Sequence, residues 1–186
     1  MDANSIVKGS LGYMAHQAGT SLAETWLNVD AVVLVDISGS MSMDDAQGGK
    51  SRHEVAQEEL EKLQNTLPGK LAIVAFSRSQ YFLPNGSLMD PAGTTDMADA
   101  LRYVRVADAI PGMRFFLISD GDPDDEADAL TEARKFKNRI DCIYVGPEDG
   151  SGREFLRKLA SVCGGEMQIK PLVKELASGI CGLLEG

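Results

Sequence analysis

Four short apolar runs constrain the fold of this chain more than any other feature. They are Ala31-Val32-Val33-Leu34-Val35, Leu71-Ala72-Ile73-Val74-Ala75-Phe76, Phe115-Phe116-Leu117-Ile118 and, interrupted once by Asp141, Ile140-Asp141-Cys142-Ile143-Tyr144-Val145. Each is too short for a buried helix, rich in β-branched or aromatic residues, and without polar alternation, as expected of strands covered on both faces. Helical spacing fills the intervals: Ala56, Leu60, Leu63 and Leu67; then Met97, Leu101 and Val104; then Ala129, Ala133 and Phe136; then Leu156, Leu159, Ala160 and Cys163. Pro68-Gly69 and Gly164-Gly165 punctuate two of these helices at their ends. Strands alternating with helices predict an α/β fold of three layers, a mostly parallel central sheet with helices on both faces. Gln80-Tyr81-Phe82-Leu83 lies close enough behind the second run to form a short antiparallel edge strand, and Met167-Gln168-Ile169 reads as a last short strand. Leu172, Leu176, Ile180 and Leu184 predict a final helix over residues 171–185, weakened by Gly179 and Gly182.

Ligands of such sheets gather at the carboxyl ends of the strands, near a topological switch point. Three polar stretches stand in that position. The first run ends in Asp36-Ile37-Ser38-Gly39-Ser40, the third in Ser119-Asp120-Gly121, and Gly93-Thr94-Thr95-Asp96 opens the third helix. On its own, Asp36-x-Ser38-x-Ser40 is also what a strand end, a turn and a helix cap look like, and either threonine can serve as the cap of the helix behind it. Together the stretches concentrate carboxylate and hydroxyl oxygens, the donors that suit a hard divalent cation. Asp36 and Asp120 would repel each other without one. The acidic run after Gly121 has a local explanation: Asp124, Asp125 and Glu126 complement the dipole of the helix they begin.

These three stretches resemble the metal-ion-dependent adhesion site of the von Willebrand factor A (vWA) domain, in a single-domain prokaryotic or phage-like version. The resemblance covers roughly residues 30–170 and implies a Rossmann-like vWA fold. Position by position, it implies that Asp36, Ser38, Ser40, Thr95 and Asp120 are the metal-site residues. Thr95 is preferred to Thr94 because in the family the threonine stands six residues before an apolar helix residue, here Leu101. The implied metal is Mg²⁺ or Mn²⁺, ahead of Ca²⁺. The implied function is non-catalytic and adaptor- or adhesion-like: a partner protein presents an Asp or Glu to the exchangeable position on the metal.

Two other functions fit some of these features. A haloacid-dehalogenase-like Mg²⁺-dependent phosphohydrolase also has an Asp at the end of its first strand, but needs a second Asp where this chain has Ser38. No Ser-His-Asp or Cys-His arrangement is evident, and His16 and His53 stand apart from every motif, so no enzyme activity is expected. His53 reads as exposed. The other reading is a structural assembly subunit with an incidental metal site.

The net charge of −10 argues against nucleic acid, which needs clustered Lys and Arg, and against anionic membranes. No run approaches the ~18 apolar residues of a membrane span, and no secretory signal is evident. Cys142, Cys163 and Cys181 match no zinc spacing and read as small buried hydrophobes, which favours a reducing, cytoplasmic setting. The expected organisation is an N-terminal helical extension over 1–28 and the vWA domain over 29–186. Leu11, Met14, Ala18 and Leu22 follow one helical stripe, which predicts that the extension packs on the domain or on a second copy.

Overall fold

The computed structural model describes residues 6–46, 49–147 and 150–169. The expected final helix over 171–185 and Cys181 lie outside the described residues. In chain order the described elements are α1 (Leu11–Ala18), α2 (Leu22–Trp26), β1 (Ala31–Asp36), α3 (Arg52–Thr66), β2 (Leu71–Phe76), β3 (Gln80–Phe82), α4 (Met97–Val104), β4 (Arg114–Ser119), α5 (Glu126–Ala133), β5 (Ile140–Tyr144), α6 (Gly152–Val162) and β6 (Met167–Ile169). Short 3₁₀ turns follow β1 (Gly39–Ser42) and α4 (Arg105–Ala109).

The lack of alternation in the strand sequences has a direct structural cause. Every residue of β1 and β2 is buried, because successive side chains point into two different hydrophobic layers. Val32 and Leu34 join Leu101, Phe115, Leu117, Leu130, Leu156 and Leu159, contributed by α4, α5, α6 and β4. Val33 and Val35 join Ala56, Leu60 and Leu63 of α3, with Ile73, Phe116 and Ile118. The result is the expected three-layer α/β architecture, Rossmann-like, with a six-stranded sheet ordered β3-β2-β1-β4-β5-β6. All neighbouring strands are parallel except β3, which runs antiparallel to β2 at the edge. The chain moves outward one way through β1, β2 and β3 and the other way through β4, β5 and β6. The switch point therefore falls between β1 and β4, where Asp36 and Ser119 end their strands.

The N-terminal segment differs from the expected single helix. Gly19 adopts φ 64° and its N–H reaches Ala15 O and His16 O, closing α1. Such a left-handed helix end is what glycine permits without steric cost. Ser21 then opens α2 with a capping box to Glu24. The segment packs on the sheet domain. Leu11 is 2% exposed within the larger core layer, Gly12 N–H donates to Pro84 O, Gly69 N–H to Gly9 O, and Trp26 meets Phe82 edge to face at 5.1 Å. His16 is exposed, but His53 is half-buried, contrary to expectation. Cys142 is buried and free. Cys163 is not on the helix face but at the C-cap of α6, partly buried and free, its Sγ within 3.2 Å of Leu159 O. No helix among the described residues is long and apolar enough to cross a membrane.

Candidate metal centre

The site is assembled at the carboxyl ends of β1 and β4 from three loops laced together by backbone hydrogen bonds. Gly39 N–H donates to Gly93 O (3.0 Å) and Ala92 N–H to Ile37 O (2.8 Å), which holds the 91–96 loop against the end of β1. Asp124 N–H donates to Thr95 O (3.0 Å), which ties that loop to the segment after β4. All five residues expected at the metal therefore lie on one edge of the sheet, and four of them are buried: Asp36, Ser38, Thr95 and Asp120. Ser40 is half-buried.

Asp36 is fully buried. Its Oδ1 accepts from Ser38 N–H (2.8 Å) and its Oδ2 from Ser119 Oγ–H (2.7 Å). Burial nevertheless pushes its pKa up from 3.8 to about 6. The hydrogen bonds from Ser119 and Ser38 oppose that rise without cancelling it, and the charge of Asp120 adds to it. Ser38 Oγ and Ser40 Oγ share a hydrogen bond at 3.1 Å, so these two hydroxyls converge beside the carboxylate. Ser119 was not among the expected site residues. It is fully buried, and its Oγ also accepts from Gly121 N–H (2.9 Å), tying the Asp36 carboxylate to the backbone turn that follows Asp120.

Asp120 is held where it is by a close backbone approach. A Cβ on Gly121, at φ 81°, would stand 2.2 Å from Gly152 O, so glycine is required there for both conformation and space. One Asp120 oxygen is already engaged: Arg52 Nη1 donates to Oδ2 at 2.6 Å. The other, Oδ1, is buried without a hydrogen-bond partner among the described residues. Arg52 also forms a two-pronged pair with Asp45, Nε to Oδ1 at 2.7 Å and Nη2 to Oδ2 at 2.6 Å. Its guanidinium is held above its ordinary pKa by Asp45 first and by Asp120, while Arg52 holds the Asp45 carboxyl low.

Two expectations for the loops are corrected. Neither Thr94 nor Thr95 caps α4; Asp96 does, accepting from Asp99 N–H. Thr95 is thereby free of capping duty. Asp124 does not belong to the first turn of α5, whose N-cap is Asp125. Its Oδ1 instead accepts from Thr95 N–H (3.1 Å), so that Asp124 and Thr95 hold each other reciprocally.

Among the described residues no group of three or more His, Cys, Asp and Glu side chains is placed to hold a metal. The candidate centre relies instead on two carboxylates and hydroxyls. This donor set fits a hard divalent cation, all ligands being oxygen. The unpartnered buried Oδ1 of Asp120 points the same way, since an orphaned carboxylate oxygen is costly. Asp36, Ser38, Ser40, Thr95 and Asp120 would hold the ion. Among the described residues, Arg52 is the group that competes with it.

No family model matches the chain, and no curated protein sequence does. Solved structures do. An aerotolerance-related membrane protein from Bacteroides fragilis superposes with a TM-score of 0.62 at 18% identity, over 84% of this chain and 98% of that one. Manganese-loaded TRAP protein from Plasmodium vivax gives 0.59 at 21%, over 84% and 73%. A von Willebrand factor type A protein from Catenulispora acidiphila gives 0.58 at 21%, over 82% and 41%. The likeness is one of fold: the chain is folded as a von Willebrand factor A domain.

Proposed function

We propose that this chain is a non-catalytic protein-binding module that engages a partner carboxylate through a divalent cation, Mg²⁺ or Mn²⁺, held by Asp36, Ser38, Ser40, Thr95 and Asp120. The observation that carries the reading is the convergence of two buried aspartates and the Ser38 and Ser40 hydroxyls at the β1/β4 switch point, with Asp120 Oδ1 unpartnered. The manganese-loaded state of the fold relative from Plasmodium vivax is in keeping with it. When bound, the cation supplies positive charge and a coordination position open to an outside oxygen. The chain's own residues orient the two buried carboxylates, Asp36 through Ser119 and Ser38 and Asp120 through Arg52. Asp36 and Asp120 together carry two negative charges, so a bound M²⁺ leaves the centre near neutral and able to accept an acidic side chain. The negative charge of the remaining surface opposes an acidic partner only weakly beyond ~8 Å at physiological salt.

The phosphohydrolase alternative gains nothing from the site. Ser38 stands where that mechanism needs a carboxylic acid, and its Oγ is engaged with Ser40. The test is binding of Mn²⁺ by calorimetry, followed by partner capture with and without EDTA. One Mn²⁺ per chain is expected, lost on Asp36→Ala or Asp120→Ala, with capture lost in EDTA. Capture indifferent to EDTA would make the metal incidental. Phosphomonoester turnover abolished by Asp36→Ala would make the chain an enzyme.

A further inference from the structure

Arg52 is out of place by the usual rules of helix construction. It occupies the first position of α3, behind the N-cap Ser51, which forms a capping box with Glu54. The N-terminal turn of a helix carries partial positive charge and disfavours a cation. Arg52 is nevertheless 7% exposed, and burying a guanidinium is costly unless its charge and donors are met. Both are met by carboxylates: Asp120, inside the candidate centre, and Asp45, on the loop between β1 and α3. Arg52 thus supplies positive charge to the carboxylate that a divalent cation would use.

We propose that Arg52 is the resident counter-ion of the centre: it and a divalent cation exclude each other at Asp120, and Asp45 is where Arg52 remains when the cation enters. This inference rests on the metal-binding reading above. A guanidinium donating to Asp120 Oδ2 at 2.6 Å and a divalent ion on the same carboxylate place like charges side by side in a buried setting. Releasing Asp120 costs Arg52 one hydrogen bond, while the two to Asp45 persist. Arg52 withdraws towards Asp45, whose side chain is 40% exposed against 1% for Asp120. Cation occupancy is thereby coupled to the loop that carries Asp45. That loop also presents Met43, 52% exposed, and its Met43 O accepts from Arg52 N–H (3.1 Å). A single exchange of partners links the buried centre to an exposed apolar side chain beside it.

The experiment is Mn²⁺ titration by calorimetry on the full chain and on Arg52→Gln and Asp45→Asn. Arg52→Gln removes the competitor and is expected to tighten Mn²⁺ binding by about tenfold or more. Asp45→Asn, which touches no expected metal residue, is expected to weaken it several-fold, because the displaced guanidinium loses its alternative partner. If Arg52→Gln fails to fold, Arg52→Lys, which cannot span both carboxylates in a fork, is expected to bind Mn²⁺ more tightly than the parent chain. As a second readout, the Nε–H resonance of Arg52 should shift when diamagnetic Mg²⁺ is added. Equal Mn²⁺ affinity in the parent and Arg52→Gln, or an unmoved Arg52 resonance in a chain that binds Mg²⁺, overturns the exclusion and leaves the metal reading standing. Absence of Mn²⁺ binding in the parent and in every variant overturns both.

Discussion

In EDTA, replacing Asp36 with asparagine should stabilise the protein at neutral pH, an unusual outcome for a fully buried residue. Burial, only partly offset by the hydrogen bonds from Ser119 and Ser38, raises the Asp36 pKa from 3.8 to about 6. A carboxyl that holds its proton more tightly folded than unfolded contributes stability below the unfolded pKa. That contribution is lost as pH rises through the folded one, here between about 4 and 6. At 1.36 kcal/mol per pH unit the loss by pH 7 is about 3 kcal/mol, or on the order of 6–12 °C in Tm for a chain of this length. Asparagine keeps an acceptor for Ser38 N–H and an amide to face Ser119 Oγ, but carries no charge to desolvate. The assay is thermal unfolding from pH 4.5 to 7.5 with EDTA, comparing the parent with Asp36→Asn. The expected result is a gap that widens in favour of Asp36→Asn as pH rises and reverses when millimolar Mn²⁺ is added. His53, whose pKa burial lowers, gives a slope of opposite sign in both proteins and cancels in the difference. Parallel curves in EDTA would refute the reasoning, since they would mean that ionising Asp36 costs the metal-free fold nothing.

Two further outcomes follow from named contacts. Asp124→Ala removes the acceptor for Thr95 N–H and should weaken Mn²⁺ binding several-fold in a calorimetric titration while leaving the far-ultraviolet circular dichroism unchanged. Leu11→Ala should lower stability in urea by about 2–5 kcal/mol, the usual cost of emptying a buried leucine site; a loss below about 0.5 kcal/mol, typical of a surface position, would mean that the N-terminal segment does not pack on the sheet in solution.

The strands were legible because each had to satisfy two layers at once. A residue such as Val32 faces the α4–α6 side and its neighbour Val33 the α3 side, so no position from Ala31 to Val35 could be polar. The break between α1 and α2 was not legible, because the apolar stripe Leu11, Met14, Ala18, Leu22 runs straight across Gly19, whose left-handed conformation leaves no trace in that spacing. The carboxylate and hydroxyls of the β1 end were legible because their relation is local, two residues apart. The Asp124–Thr95 and Arg52–Asp120 contacts span 29 and 68 residues, and pairings at that distance are set by the topology. The signals that could have raised Arg52 and Ser119 were faint: a cation in a first helical turn, and a hydroxyl closing an otherwise apolar strand.

The same edge bears on the choice between the proposed cation and a phosphate at this switch point. Open α/β sheets commonly bind anions there, because helix N-termini offer unpaired N–H groups and partial positive charge. In this chain α6 begins there beside Gly121 without a side-chain cap, but α3, α4 and α5, which begin at the same edge, are each served by their own sequence: Ser51 with Glu54, Asp96 bonded to Asp99 N–H, and Asp125 bonded to Asp128 N–H. An arriving phosphate would have to displace those caps and would meet Asp36 and Asp120 as like charges. The charge left to neutralise at this edge is that of the two buried aspartates. Arg52 answers one of them through Oδ2, whereas Asp36 is met only by neutral donors, Ser38 N–H and Ser119 Oγ–H. A divalent cation can answer both carboxylates, so the electrostatic deficit and the donor chemistry of the site call for the same ligand.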